Sequence, residues 1–181
     1  MKKMHEKDHN ALGKVQNQFH VNRLCKLMAD HKGNVIVGNA AAHEDGNLTP
    51  TVILSPAEDC PLMAEETFGP ILSVFTFKKF DETIQLINSK PKALAVYYFG
   101  SNSNSNENMT RLLKETSSGA FVVNDCVKQM FNQDLPFGGV GESGYGRLHG
   151  QEGFNGCSNL KSVLRKNVLD RKSTRLNSSH T

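Results

Sequence analysis

The apolar positions of the chain fall into short runs with two different periods. From Val21 they recur as Val21, Leu24, Cys25 and Met28, the i, i+3, i+4, i+7 face of an amphipathic helix. Gly33 follows as a stop signal, and Val35-Ile36-Val37 reads as a short buried strand. His43 to Asn47 is a turn-rich loop. Thr51 to Leu54 is a second strand, bounded by Pro50 and Pro56, which cannot donate to a ladder. Ile71 to Phe77 (ILSVFTF) is the strongest strand signal. Asp81 is placed to cap a helix that turns Ile84 and Ile87 toward a core, and Asn88 to Pro91 ends it. Leu94 to Phe99 is β-rich again. The polar tract Ser101 to Asn106 then feeds a helix striped with Met109, Leu112 and Leu113, and Gly119 is predicted as its C-terminal cap. Ala120 to Val123 is a further strand.

From Ile71 to Val123 the order is therefore strand, helix, strand, helix, strand. That alternation predicts an α/β fold, part of a doubly wound, mainly parallel sheet. The strands lack polar alternation, as expected where helices cover both faces. After Asn124 the character changes. Six glycines fall between Gly138 and Gly150, so this stretch is loop. Lys161 to Lys166 predicts one last strand with no partner in the chain, and it is expected to pair with another subunit. The organisation read from the sequence is a polar segment over 1–12, a body over 13–157, an oligomerisation strand over 158–168, and a polar tail over 169–181. The tail is aperiodic and is read as a disordered, non-native scar.

Composition narrows the classes. The chain has 181 residues, 38% hydrophobic, 22% charged and 7% aromatic, which is neither a disordered nor a collagenous profile. No run approaches the roughly 18 apolar residues of a membrane span. Twenty-one Lys and Arg against 18 Asp and Glu give +3, too little to imply a nucleic-acid or membrane partner. The first ten residues carry no apolar h-region, so no secretory signal is read there. Cys25, Cys60, Cys126 and Cys157 form no CxxC pair and are expected as free thiols in a cytoplasmic protein.

Two motifs match by letter only. His5-Glu6-Lys7-Asp8-His9 fits H-E-x-x-H, in which two His hold zinc and the Glu activates water. Its flanks offer no apolar stripe to seat the helix, so no metal is expected. Gly139 to Gly144 fits G-x-G-x-x-G. The dinucleotide version must follow a strand, open a helix and meet an acidic residue about 20 positions later. Leu135-Pro136-Phe137 is a poor strand, Gly144-Tyr145-Gly146 is a poor helix start, and Leu164 stands where the acid should be.

Three segments carry a stronger signal together. Glu65-Glu66-Thr67-Phe68-Gly69-Pro70 sits just before the strong strand. Leu135 to Gly146 (LPFGGVGESGYG) forms the glycine loop. Pro50-Thr51-Val52 opens the strand before the acidic pair. In this order and spacing they resemble the C-terminal part of an aldehyde dehydrogenase. The continuation through His149-Gly150, Gly153-Phe154, Ser158 and Lys161-Ser162-Val163-Leu164 is most similar to the class 3 branch, which handles fatty and aromatic aldehydes. The likeness spans residues 13–167.

The resemblance implies an oxidoreductase that turns aldehydes into carboxylic acids. A Cys thiolate attacks the carbonyl, hydride passes to NAD or NADP, and a Glu-activated water releases the acid. It implies that Glu66 holds the nicotinamide ribose hydroxyls, since a carboxylate accepts two hydrogen bonds from a diol. It places Phe68 beside the nicotinamide, and Phe137 and Asn124 on the aldehyde's side. It also implies a homo-oligomer, expected as a dimer. Residue type alone reads Glu65 and Glu66 as a solvated turn, Phe68 as core, Phe137 as a loop anchor and Asn124 as a strand-end cap. The family's Gly-Gln-x-Cys nucleophile segment and Glu-Leu-Gly-Gly base segment do not occur in the chain. No catalytic residue is therefore assigned. The chain is expected to be truncated at Met1 and inactive alone, or else a non-catalytic remnant that associates with a full-length subunit.

Overall fold

The computed structural model describes residues 13–39, 46–101, 103 and 106–166. The H-E-x-x-H segment, the rest of 1–12 and the tail from 167 onward lie outside the described residues. The chain divides into two units, Met1–Lys79 and Phe80–Thr181.

In the first unit, helix α1 spans Gln18–Leu27. It begins ahead of the apolar stripe because Asn17 caps it: the His20 N–H donates to Asn17 Oδ1 at 3.0 Å, satisfying one of the helix's orphan donors. The helix buries Val21, Leu24 and Leu27, and Cys25 and Met28 pack against the same cluster, as the spacing predicts. Strand β1 (Asn34–Val37) pairs antiparallel with β2 (Thr51–Leu54), which pairs in parallel with β3 (Ile71–Val74).

Three expectations change here. β1 is an edge strand with an irregularity between Val35 and Val37, so Val35 and Ile36 are exposed rather than buried. Gly33 does not stop α1, which has already ended at Leu27. A Cβ at Gly33 would meet Ile53 Cγ2 at 2.7 Å and the Pro56 Cα at 2.8 Å, so glycine is needed for close approach of backbone. β3 stops at Val74 rather than Phe77 because its ladder partner ends. Ser55 turns β2 away at φ +49 after its N–H donates to the Val74 carbonyl at 2.7 Å.

A short helix that the periodicity did not reveal, α2 (Pro61–Ala64), carries Pro61 in its first turn, where the missing N–H costs nothing. Leu62 of α2 and Cys60 join Leu24, Leu27, Leu48, Ile53 and Ile71 in the core. Leu24 and Ile53 are fully buried, and each such side chain contributes roughly 1.5–3 kcal/mol.

The second unit contains helix α3 (Phe80–Asn88), strand β4 (Ala95–Tyr98), helix α4 (Glu107–Glu115) and strand β5 (Ala120–Val123). β4 and β5 run parallel, from Ala95 opposite Ala120 to Tyr98 opposite Val123, and α4 is the crossover that a parallel pair requires. The architecture is α/β with mainly parallel strands. β3 belongs to the three-stranded sheet, and β4 and β5 form a two-stranded one.

Asp81 lies inside the first turn of α3 rather than ahead of it. Its carboxylate accepts from Arg111 Nη2 on α4 at 2.6 Å. Asn88 Nδ2 donates to the Glu115 carbonyl at 2.8 Å, tying the other end of α3 to α4. Gly119 is not the cap of α4; the helix closes at Glu115, with Thr116 extended. Gly119 is required for another reason, because a Cβ there would strike the Gly138 carbonyl and come within 2.7 Å of Leu94 O.

The glycine segment holds 3-10 turns at Lys128–Met130 and Gly141–Ser143, then helix α5 (Gly150–Gly156). Residues 159–166 carry no regular element, and Leu160 and Leu164 are almost fully exposed. The strand expected at Lys161 to Lys166 has no ladder partner among the described residues. No helix among them is long and apolar enough to cross a membrane.

Candidate functional site

The Glu65–Pro70 segment is shaped by two neighbouring residues of α1. α2 ends at Ala64, and Glu65 is extended. The backbone then passes through Phe68 at φ +44, a left-handed conformation that a bulky side chain rarely adopts. Arg23 reaches across to this turn. Its Nη2 donates to the Thr67 carbonyl at 2.6 Å and its Nη1 to the Glu66 carbonyl at 3.3 Å. The same guanidinium stands 3.7 Å from the Glu65 carboxylate. Beside it, Leu24 lies under Gly69 so closely that a Cβ there would meet Leu24 Cδ1 at 2.6 Å.

This turn forms one wall of a cleft of about 740 Å³. Lys14, His20, Arg23, Glu65, Glu66 and Phe68 are among its lining residues. Phe68 is 79% exposed, so it is not core. The Glu66 side chain is exposed, and its carboxylate has no hydrogen-bond partner among the described residues. A free carboxylate next to an exposed ring suits a ligand that pairs a vicinal diol with a flat aromatic group: the oxygens accept from both hydroxyls, and the ring covers the flat face.

In the second unit the two other predicted residues have different surroundings. Asn124 ends β5 at φ +57. Its Nδ2 donates to the Gly100 carbonyl at 2.8 Å, and the Gly100 N–H donates to its Oδ1 at 2.8 Å. The side chain thus ties the loop after β4 to the end of β5, and one Nδ2 proton is left over. Next to it, Lys128 Nζ stands 2.7 Å from the Asp125 carboxylate. The hydrogen bond from Lys128 holds Asp125 below the usual carboxylate range, helped by the Cys126 N–H, and Asp125 in turn raises Lys128.

Phe137 is half-buried and stacks on His149, with ring centroids 5.9 Å apart and planes 25° from parallel. Phe137 and Leu148 exchange backbone hydrogen bonds of 3.0 and 2.8 Å, closing the glycine loop at its base. Inside it, Arg147 Nη1 donates to the Gly139 and Gly146 carbonyls at 2.7 and 2.6 Å, and Ser143 Oγ donates to the Val140 carbonyl at 3.0 Å. The G-x-G-x-x-G letters therefore build a self-bonded loop, not a strand-to-helix turn.

The structure brings Glu66 and Phe68 into one cleft. Asn124 and Phe137 sit in the other unit, on a strand end and at a loop base. Sequence reasoning missed Arg23, and it gave His149 only as part of the class 3 likeness, without its stacking on Phe137. Arg23 leaves no local signal, because its partners lie 43 and 44 residues away. The four cysteines are free, Cys60 buried and Cys126 and Cys157 exposed.

The aldehyde dehydrogenase family profile matches residues 1–163. The chain belongs to the aldehyde dehydrogenase family. It is 40% identical over 160 residues to aldehyde dehydrogenase family 3 member F1 of Arabidopsis thaliana, covering 87% of this chain and 32% of that protein. Among solved structures it is similar to the substrate-bound state of AldH from Staphylococcus aureus, with a TM-score of 0.77 and 32% identity over 92% of this chain and 38% of that one. It is also similar to a betaine aldehyde dehydrogenase variant from Staphylococcus aureus solved in complex with NAD+, with a TM-score of 0.67 and 29% identity over 78% of this chain and 30% of that one. The chain spans about a third of the length of the curated relatives it matches.

Proposed function

We propose that the chain is the C-terminal part of an NAD(P)-dependent aldehyde dehydrogenase of the class 3 branch, which oxidises fatty or aromatic aldehydes to carboxylic acids. The observation that carries this reading is the pairing of the unpartnered Glu66 carboxylate with the exposed Phe68 ring on one cleft wall. When bound, NAD(P)+ supplies the hydride acceptor. Glu66 would accept hydrogen bonds from its nicotinamide ribose hydroxyls, and Phe68 would lie against the nicotinamide. Those two contacts would fix the position of the ring, which is the contribution an enzyme makes by orienting its reactants.

On the aldehyde's side, Phe137 would offer an apolar wall held by His149, and Asn124 its remaining amide proton. The chain brings no nucleophile segment of its own, so it would not turn over aldehyde alone. Its exposed Leu160, Val163 and Leu164 support the segment 158–168 as the contact of a homodimer. The four free thiols support a cytoplasmic setting.

The test mixes the purified chain with an aldehyde and NAD+ or NADP+ and follows reduced nicotinamide. The expected result is no aldehyde-dependent product. Product formed faster than by a variant with all four cysteines replaced by serine would overturn the inactivity.

A further inference from the structure

We infer that Arg23 is a positioning residue: through the Glu66 and Thr67 carbonyls it holds the Glu66 carboxylate and the Phe68 ring in the geometry that a nicotinamide ribose requires. This role rests on Glu66 being the ribose contact. Three observations converge on it. The guanidinium makes two donations to successive carbonyls of one turn, at 3.3 and 2.6 Å, a fork that suits a planar, five-donor group better than a point charge. The residue immediately after those carbonyls is Phe68 at φ +44, and such a conformation persists only where its surroundings over-determine it. Arg23 is also four-fifths covered on its own side chain, whereas its ionic partner Glu65 is half exposed. The Glu65 contact at 3.7 Å is long for a hydrogen bond, so the carbonyl contacts do the holding.

Glu66 stays without a partner among the described residues and is available to a ligand. Leu24, the next residue of α1, backs Gly69 from below, and the turn is thereby fixed at both ends by one helix.

The experiment uses the full 181-residue chain, labelled for NMR, with nicotinamide mononucleotide as the probe, and compares wild type with Arg23→Met, Arg23→Lys and Glu66→Gln. In Arg23→Met the backbone and ring signals of Phe68 are expected to move or broaden while those of Val21 and Ile53 hold. Affinity for the probe should fall at least tenfold. Arg23→Lys, which keeps the charge but not the fork, should recover only part of that. The loss in the double variant Arg23→Met/Glu66→Gln should fall short of the product of the two single losses, because Arg23 acts in part through Glu66. Unchanged Phe68 signals in Arg23→Met would overturn the inference, as would losses that simply add. If Arg23→Met does not fold, Arg23→Lys gives the same reading: full wild-type affinity and an unmoved Phe68 would overturn it. If the wild type binds no probe while Phe68 still moves in Arg23→Met, the holding role stands and the ribose contact fails.

Discussion

The side-chain amide of Asn124 and the backbone of Gly100 exchange two hydrogen bonds of 2.8 Å each. This is the pattern of one more antiparallel-style residue pair, supplied by a side chain. It clamps the loop after β4 to the end of β5.

Asn124→Ala is therefore expected to lower stability by about 0.5–1.5 kcal/mol, the net worth of an exposed hydrogen-bonded bridge. Because Asn124 sits at φ +57, Asn124→Gly should be milder than Asn124→Ala by about 1 kcal/mol, since glycine accepts left-handed backbone without strain. Urea unfolding of the three proteins checks the order. An Asn124 that served only a substrate would leave Asn124→Gly at the wild-type midpoint.

Gly119→Ala should be costly. Its Cβ would strike the Gly138 carbonyl and approach Leu94 O, both of them backbone, which moves less easily than a side chain. A loss of about 3 kcal/mol is expected, at the upper end of overpacking costs. Gly13→Ala, where nothing lies within 4 Å, should stay within about 0.5 kcal/mol of wild type. Thermal unfolding of the two variants separates crowding from the general effect of replacing glycine.

Leu24→Ala should cost about 2–5 kcal/mol, as expected for a fully buried leucine. It should also release Gly69, so Gly69→Ala should be tolerated better on the Leu24→Ala background than on wild type. A double-mutant cycle measured by denaturant unfolding reads this coupling.

The acid limb of stability should depend on Arg111. Its hydrogen bond holds the Glu115 carboxyl below its ordinary value of 4.5. A carboxyl lowered in the folded state stabilises above its unfolded value, and that contribution disappears as pH falls through the lowered value. Between about pH 5 and 3 the wild type should lose stability more steeply than Glu115→Gln. The difference should shrink in high salt, because the pair is exposed. Urea midpoints across that range give the slopes.

The elements that obeyed a local period were legible in the sequence. The stripe Val21, Leu24, Cys25, Met28 placed α1, and the run from Ile71 placed β3, because 3.6- and 2-residue periods are local quantities. The features that escaped are set by distant partners. Gly33 and Gly119 read as helix stops, yet each is glycine because remote backbone crosses it. β1 read as buried, yet it lies at a sheet edge, which no window of residues reports. At the candidate site the motif Glu65–Pro70 announced Glu66 and Phe68, but Arg23, which shapes that turn, could be found only once the chain had brought residues 43 and 44 positions apart together.

The most direct measurement is a titration of the 181-residue chain with nicotinamide mononucleotide, read by isotope-edited NMR. Saturable shifts are predicted at Glu66, Thr67, Phe68 and Gly69, with Glu66→Gln weakening the affinity at least fivefold. Shifts confined to other residues, or an affinity unchanged in Glu66→Gln, would contradict the assignment of this cleft to the cofactor's ribose.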